Sequence, residues 1–201
     1  MNPYHFTVLN RLSGYRAIVG QSEKRLQGGI VVRSDALFRT LEGPDGKQIV
    51  FRSPTALGAS VPPRAEMMRA HGIVHLPQDG NSHDSVHRPV ASGFYPAGGG
   101  VSITFSSCLE KLRSRLRILY RTEKYTPYAM AALSMIPSKT AKMITNAVLE
   151  IGSFKKKIMN LLGMKSFMLA KENVWDDVRN LHLTSKQTEI AERGSIKCRF
   201  D

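Results

Sequence analysis

The chain has 201 residues, of which 42% are hydrophobic and 22% are charged, a composition close to that of globular proteins. A chain of this length can bury a sizeable core, and no apolar run approaches the roughly 18 residues that a membrane span needs. Lys and Arg number 29 against 16 Asp and Glu, and the resulting net charge of +13 favours a polyanion or an anionic membrane surface as partner. The two cysteines, Cys108 and Cys198, are too few for the disulfide framework of a small secreted protein.

Turn-forming residues are concentrated in the first half of the chain, where 13 of the 16 glycines and 8 of the 10 prolines lie in residues 1–100. Apolar and β-branched runs predict strands at 4–9, 28–34 and 101–105. The GPDG sequence predicts a β-hairpin that pairs 37–42 with 47–52, and PPRAEMMRAH predicts a short helix from residue 62. We therefore expect an α+β fold in which a small antiparallel sheet precedes a mostly helical half.

Basic residues are concentrated in the second half, since 111–171 holds thirteen Lys and Arg but two acids. Leucines at helical spacing predict a helix from residue 109 to about 124. On it, Arg113, Arg117, Arg121 and Lys124 would form one ladder, which Lys111 and Arg115 would widen. Like charges at this spacing repel, so the ladder favours an external anion, and arginine suits phosphate oxygens. An exposed face that serves only solubility is the alternative.

Helices are also predicted at 128–136, 139–151, 153–171 and 173–183, and the polar residues 184–201 are expected to form a loosely held tail. The helix beginning near residue 154 combines five lysines with an apolar face, a composition typical of a membrane-surface or partner-binding helix. A core helix with a basic first turn is the alternative. The expected phosphate contacts here are Lys155, Lys156 and Lys157, and the expected membrane or partner contacts are Phe154, Ile158, Leu161 and Leu162.

Four of the six histidines lie in one segment, in two pairs spaced four residues apart: His71 with His75, and His83 with His87. Imidazoles at this spacing can share a cation, so a zinc site is one interpretation, and a zinc-dependent enzyme or a zinc-stabilised protein is the alternative function. A polar surface loop is the other interpretation. No other cofactor is indicated.

Motifs for catalysis are absent from the sequence: there is no GxSxG, GxxxxGK[ST], CxxC or HExxH. Cys108 could act with a histidine as nucleophile and base, but nothing in the sequence positions the two together. We therefore predict a protein that is not an enzyme, with a scaffold region over 1–105, a basic helical region over 106–183 and a tail over 184–201.

The favoured function is an RNA-binding or membrane-associated assembly protein, of viral matrix or nucleocapsid-associated type or a subunit of an RNA-rich assembly. RNA or anionic phospholipid is the expected partner, and self-association would use the strand-rich half or the Met-rich helices. An intracellular location follows, in cytoplasm, nucleus or virion. The basic, acid-free first 22 residues leave a mitochondrial location as the alternative.

Overall fold

The computed structural model describes residues 1–22, 25–73, 76–80, 82, 84–162 and 164–182. These residues divide into two compact units: unit 1 combines Met1–Arg25 with Thr126–Asn180, and unit 2 combines Leu26–Tyr125 with residues 181 and 182. These boundaries differ from the expected division after residue 105, because composition does not report which distant segments pack together.

Helices and strands are interspersed along the chain. The helices are α1 (Pro3–Ser13), α2 (Val61–Ala70), α3 (Asp84–Ser92), α4 (Ser102–Ser106), α5 (Glu110–Arg113), α6 (Ser138–Phe154), α7 (Lys156–Leu161) and α8 (Asp176–Arg179), with a 3-10 turn at Glu172–Trp175. The strands are β1 (Arg16–Gln21), β2 (Leu26–Arg33), β3 (Gln48–Phe51), β4 (Leu76–Asp79), β5 (Ala97–Val101), β6 (Leu116–Tyr125), β7 (Ala129–Ala132) and β8 (Phe167–Leu169). Among the described helices, none has both the length and the hydropathy that crossing a bilayer requires.

Unit 2 is built on a five-stranded sheet in the order β4-β3-β5-β2-β6. Strand β3 runs parallel to β4 and β5, whereas β2 runs antiparallel to β5 and β6. Apolar clusters cover both faces of this sheet: Ile49 and Phe51 pack with Met67 of α2, while Val50 packs with Val86 and Val90 of α3. A strand buried on both faces is continuously apolar, as residues 49–51 of β3 are.

Unit 1 carries a three-stranded antiparallel sheet in the order β7-β1-β8. Its central buried side chain is Trp175, whose ring packs edge-on against Phe6 of α1 at 5.0 Å between centroids. The indole Nε1 donates a hydrogen bond of 2.8 Å to the carbonyl of Pro127. The tryptophan therefore joins segments from both ends of the chain with its polar atom satisfied.

The predicted fold class is confirmed, since the chain mixes helices with small sheets, and the predicted strand at β2 and helices at α2, α6 and α8 are present. The predictions of several individual elements are wrong. Residues 4–9 lie in α1, 37–42 form turns rather than a hairpin partner, and 102–105 lie in α4. The predicted helix over 109–124 is α5 followed by β6, and 129–132 is β7.

Glycines in β2 and β5 allow a loop backbone to lie directly on the sheet. A Cβ at Gly28 would overlap the carbonyl oxygen of Gly58, and a Cβ at Gly99 would overlap the carbonyl oxygen of Ala59 and the ring of Phe51. Only glycine permits such an approach. The glycine runs in these strands are therefore packing surfaces for the segment that leads into α2.

Gly99→Ala is expected to lower the free energy of unfolding by about 2–3 kcal/mol, because the added methyl group must displace the backbone at Ala59. Urea denaturation measures the change. Gly20→Ala in β1 is the control, since its Cβ would meet the Trp175 ring at an ordinary 3.4 Å. Equal effects of the two substitutions would contradict the close-approach argument.

Candidate ligand-binding site

The topology of unit 2 brings the ends of four strands to one edge. Strands β3, β4, β5 and β6 are mutually parallel, because β5 and β6 both run antiparallel to β2. Open sheets of this kind bind ligands outside the carboxyl ends of their strands. We call this edge the carboxyl edge; it consists of residues 52–60, 80, 82 and 102–106, which follow β3, β4 and β5, together with the second half of β6.

The carboxyl edge carries polar side chains on the segments after β3 and β5 and on β6. The hydroxyl oxygens of Ser53 and Thr55 lie 3.4 Å apart. The exposed Arg121 of β6 donates from Nη1 to Ser102 Oγ at 3.0 Å, which uses one of the five N–H donors of its guanidinium. A cation supported by a hydroxyl group is a suitable contact for an oxyanion.

The N-terminus of α2 also lies at the carboxyl edge, yet its backbone amides are already engaged. The amides of Ser60 and Val61 both donate to the carbonyl of Ala56, at 2.9 and 3.2 Å. The next two residues, 62 and 63, are prolines and have no amide hydrogen. The start of α2 therefore offers few free amides to an anion at this edge.

The cation ladder predicted on one helix is not formed, because α5 contains Arg113 while β6 contains Arg117, Arg121 and Lys124. Arg117 Nη2 donates to the carbonyls of Ala36, at 3.1 Å, and Phe38, which commits this side chain to holding the loop after β2. Arg113 donates to the carbonyl of Ser106 at 2.8 Å. Of the predicted ladder, Arg121 is the member that lies beside a hydroxyl group of the carboxyl edge.

The remaining predicted contacts are exposed. In unit 2 these are Lys111, Arg115 and Lys124, and in unit 1 they are Lys155, Lys156 and Lys157 around the start of α7. The apolar residues Phe154, Ile158, Leu161 and Leu162 are exposed in the same part of unit 1, so their contact with a protein partner stays a prediction.

The histidines do not form a zinc site in the part of the chain that the structure describes; His75 and His83 lie outside it. His71 Nδ1 is 3.7 Å from a carboxylate oxygen of Glu42, whereas His87 is fully buried in α3 with its Nδ1 3.0 Å from Cys108 Sγ. No group of three His, Cys, Asp or Glu able to hold a metal occurs among the described residues. The predicted pairing of His87 with His83 remains untested.

The sequence does not predict the contact between His87 and Cys108. Burial lowers the pKa of His87, and burial together with the charge of Asp84 raises the pKa of Cys108. Both groups are therefore neutral near pH 7, which suits a packed hydrogen-bonded pair and not a thiolate nucleophile.

A second contact that sequence reasoning missed joins α2 to β6. Glu66 accepts hydrogen bonds from the hydroxyls of Tyr120 and Tyr125, at 2.7 and 2.6 Å, and from the amide of Glu123 at 3.2 Å. Burial, followed by the hydrogen bond to Glu66, raises the pKa of both tyrosines. This cluster fixes α2 against the strand that carries Arg121.

A model of a known family matches residues 1–175 of the chain; its description is "ABC transporter, phosphonate, periplasmic substrate-binding protein". The chain belongs to this family. No curated protein sequence matches the chain significantly. Substrate-binding proteins of ABC transporters are not enzymes, which confirms the prediction that the chain has no catalytic function.

Solved structures share the fold of the chain. A protein of Xanthomonas citri bound to ATP superposes with a TM-score of 0.76 at 13% identity, over 93% of this chain and 75% of that one. PhnD1 from Prochlorococcus marinus, in complex with methylphosphonate, superposes with a TM-score of 0.68 at 16% identity. The match covers 90% of this chain and 82% of PhnD1. A binding protein component of an ABC phosphonate transporter from Pseudomonas aeruginosa superposes with a TM-score of 0.66 at 11% identity. The match covers 92% of this chain and 67% of that one.

The family corrects the predicted function. A periplasmic substrate-binding protein is neither an RNA-binding nor a membrane-associated assembly protein of viral matrix type, so RNA and anionic phospholipid are wrong as partners. The predicted intracellular location, including the mitochondrial alternative, is wrong for the same reason. The family description names a substrate and no cofactor, and the zinc site stays a prediction.

The buried His87 predicts an acid-sensitive fold. Its pKa is lowered in the folded chain, so between the unfolded value of about 6.5 and the lower folded value the unfolded chain binds more protons. The free energy of unfolding should therefore fall as the pH drops below about 6.5. Urea denaturation at several pH values should show this fall, and His87→Asn should reduce its slope. An unchanged slope in the variant would assign the pH dependence to other groups.

Proposed function

We propose that this chain is the solute-receptor component of an ABC importer, acts outside the cytoplasm and captures a small phosphonate at the carboxyl edge of unit 2. The family match over residues 1–175 supports the class of protein. The observation that carries the choice of site is the Arg121–Ser102 hydrogen bond at this edge.

The chemistry of the ligand follows from the groups available. A phosphonate presents several charged oxygens, and a guanidinium can donate two parallel hydrogen bonds to such a group. Serine and threonine hydroxyls, as at Ser53, Thr55 and Ser102, can donate to the remaining oxygens. Because the amides at the start of α2 are engaged or absent, the affinity should depend strongly on these side chains.

Arg121→Ala is expected to weaken methylphosphonate binding at least tenfold, the loss that corresponds to about 1.4 kcal/mol of charge-assisted hydrogen bonding. Arg121→Lys should be intermediate, because it keeps the charge and loses the paired donors. Isothermal titration calorimetry measures the affinities.

Arg115→Ala is the matched control. It serves better than Arg113→Ala, because Arg113 donates to the carbonyl of Ser106 at the carboxyl edge. Arg115→Ala removes the same charge from unit 2, but Arg115 is exposed, directly precedes the amino end of β6, and accepts at its carbonyl from the amide of Ser34 at the opposite end of the sheet. Equal losses in the two alanine variants would reduce the role of Arg121 to long-range attraction. If Arg121→Ala binds methylphosphonate as tightly as the parent chain, the ligand does not bind at Arg121.

A further inference from the structure

A second feature of unit 2 is a cavity of about 640 Å³ that lies along α3, beside β3 and β4. Gly80 and Ser85 line it near the start of α3, Arg88 lines it further along, and Phe94 and Tyr95 line it beyond the end of the helix. The volume lies within the range of sites for small organic molecules. The cavity thus offers a cation and an aromatic pair along one helix.

The side chain of Phe94 is exposed at a position where an apolar side chain is usually buried against its own helix. Helix α3 ends in a Schellman motif: Gly93 has a φ of +83°, its amide donates to the carbonyl of Val90, and the amide of Phe94 donates to the carbonyl of Pro89. An apolar residue at the position of Phe94 usually packs back against the last turn of its helix. Here 76% of Phe94 is exposed, and its ring contacts Tyr95 edge-on at 4.9 Å between centroids. One face of an aromatic ring is therefore available to a ligand.

Arg88 is accessible to an anion. Its partner is Asp84, one turn earlier, at 3.3 Å, and both side chains are 65% exposed. Such an exposed pair at i,i+4 contributes only a few tenths of a kcal/mol, so a phosphate or carboxylate group of a ligand can compete with Asp84.

The backbone carbonyl of Ser85, between the start of α3 and Arg88, is a hydrogen-bond acceptor. Pro89 is inside α3 and has no amide hydrogen, so the carbonyl of Ser85 lacks its usual donor four residues later. Both residues line the cavity. This carbonyl can accept a hydrogen bond from an amino group.

We propose that this cavity binds a compact aromatic anion, whose ring stacks on Phe94, whose anionic group contacts Arg88 and whose amino group donates to the carbonyl of Ser85. A nucleoside monophosphate combines a planar ring, an amino group and a phosphate. The site is separate from Arg121 and Ser102, so it does not depend on the proposed phosphonate site.

The test is calorimetric titration of the full chain with adenosine 5′-monophosphate. Phe94→Ala should weaken binding about tenfold, the usual loss of one stacked base, and Arg88→Ala should weaken it by a similar factor. Ribose 5-phosphate, which has no ring, should bind about tenfold more weakly than the nucleotide and should not respond to Phe94→Ala. Leu37→Ala and Arg113→Ala are the controls, since they remove an exposed apolar side chain and a cation elsewhere in unit 2 and should leave the affinity unchanged.

Two further measurements separate this cavity from the proposed phosphonate site at Arg121 and Ser102. Nucleotide binding should persist in saturating methylphosphonate and in Arg121→Ala, even where that variant no longer binds the phosphonate. The proposal is overturned if the nucleotide does not bind, if Phe94→Ala binds it as tightly as the parent chain, or if methylphosphonate displaces it.

Discussion

The central constraint on unit 2 is the direct contact of a loop backbone with the middle of the sheet. The carbonyls of Gly58 and Ala59 lie where side chains of β2 and β5 would otherwise be, so Gly28 and Gly99 have no acceptable substitutes. This contact fixes where α2 begins. It also explains why two central strands are rich in glycine, a residue that lowers strand propensity but allows backbones to approach.

The position of α2 in turn determines the chemistry at the carboxyl edge. The segment that precedes the helix uses its Ala56 carbonyl to engage the first two amides, and two prolines follow, so the helix terminus has little to offer an anion. One turn later, Glu66 accepts three hydrogen bonds from β6. Because β6 also carries Arg121, the glycine contact, the helix and the candidate ligand-binding cation form one connected arrangement.

The sequence predicts elements whose signal is local and misses those whose partners are distant. Strand β2 has a continuous apolar run, and α2 has prolines in its first turn followed by helix formers, so both are predictable. Strand β3 pairs with β4 and β5, which lie tens of residues later, and a hairpin signal cannot report parallel pairing. In β6 the leucines fit helical spacing, but residues 115–118 also alternate between arginine and apolar side chains, as a strand does. The candidate site joins Ser102 to Arg121 through the pairing of β5, β2 and β6, which no spacing in the sequence encodes.

The excess of positive charge does not identify the class of partner. Net charge sets the sign of the ligand that a surface attracts, but not its size. Several of the cations serve the fold: Arg117 contacts two carbonyls, and Arg25 contacts Asp177 at 2.8 Å within unit 1. A polyanion needs many cations aligned on one surface, whereas a small oxyanion can be bound by one guanidinium and a few hydroxyls. The carboxyl edge carries Arg121 beside the hydroxyl of Ser102, whereas the predicted ladder of cations is divided between a short helix and a strand.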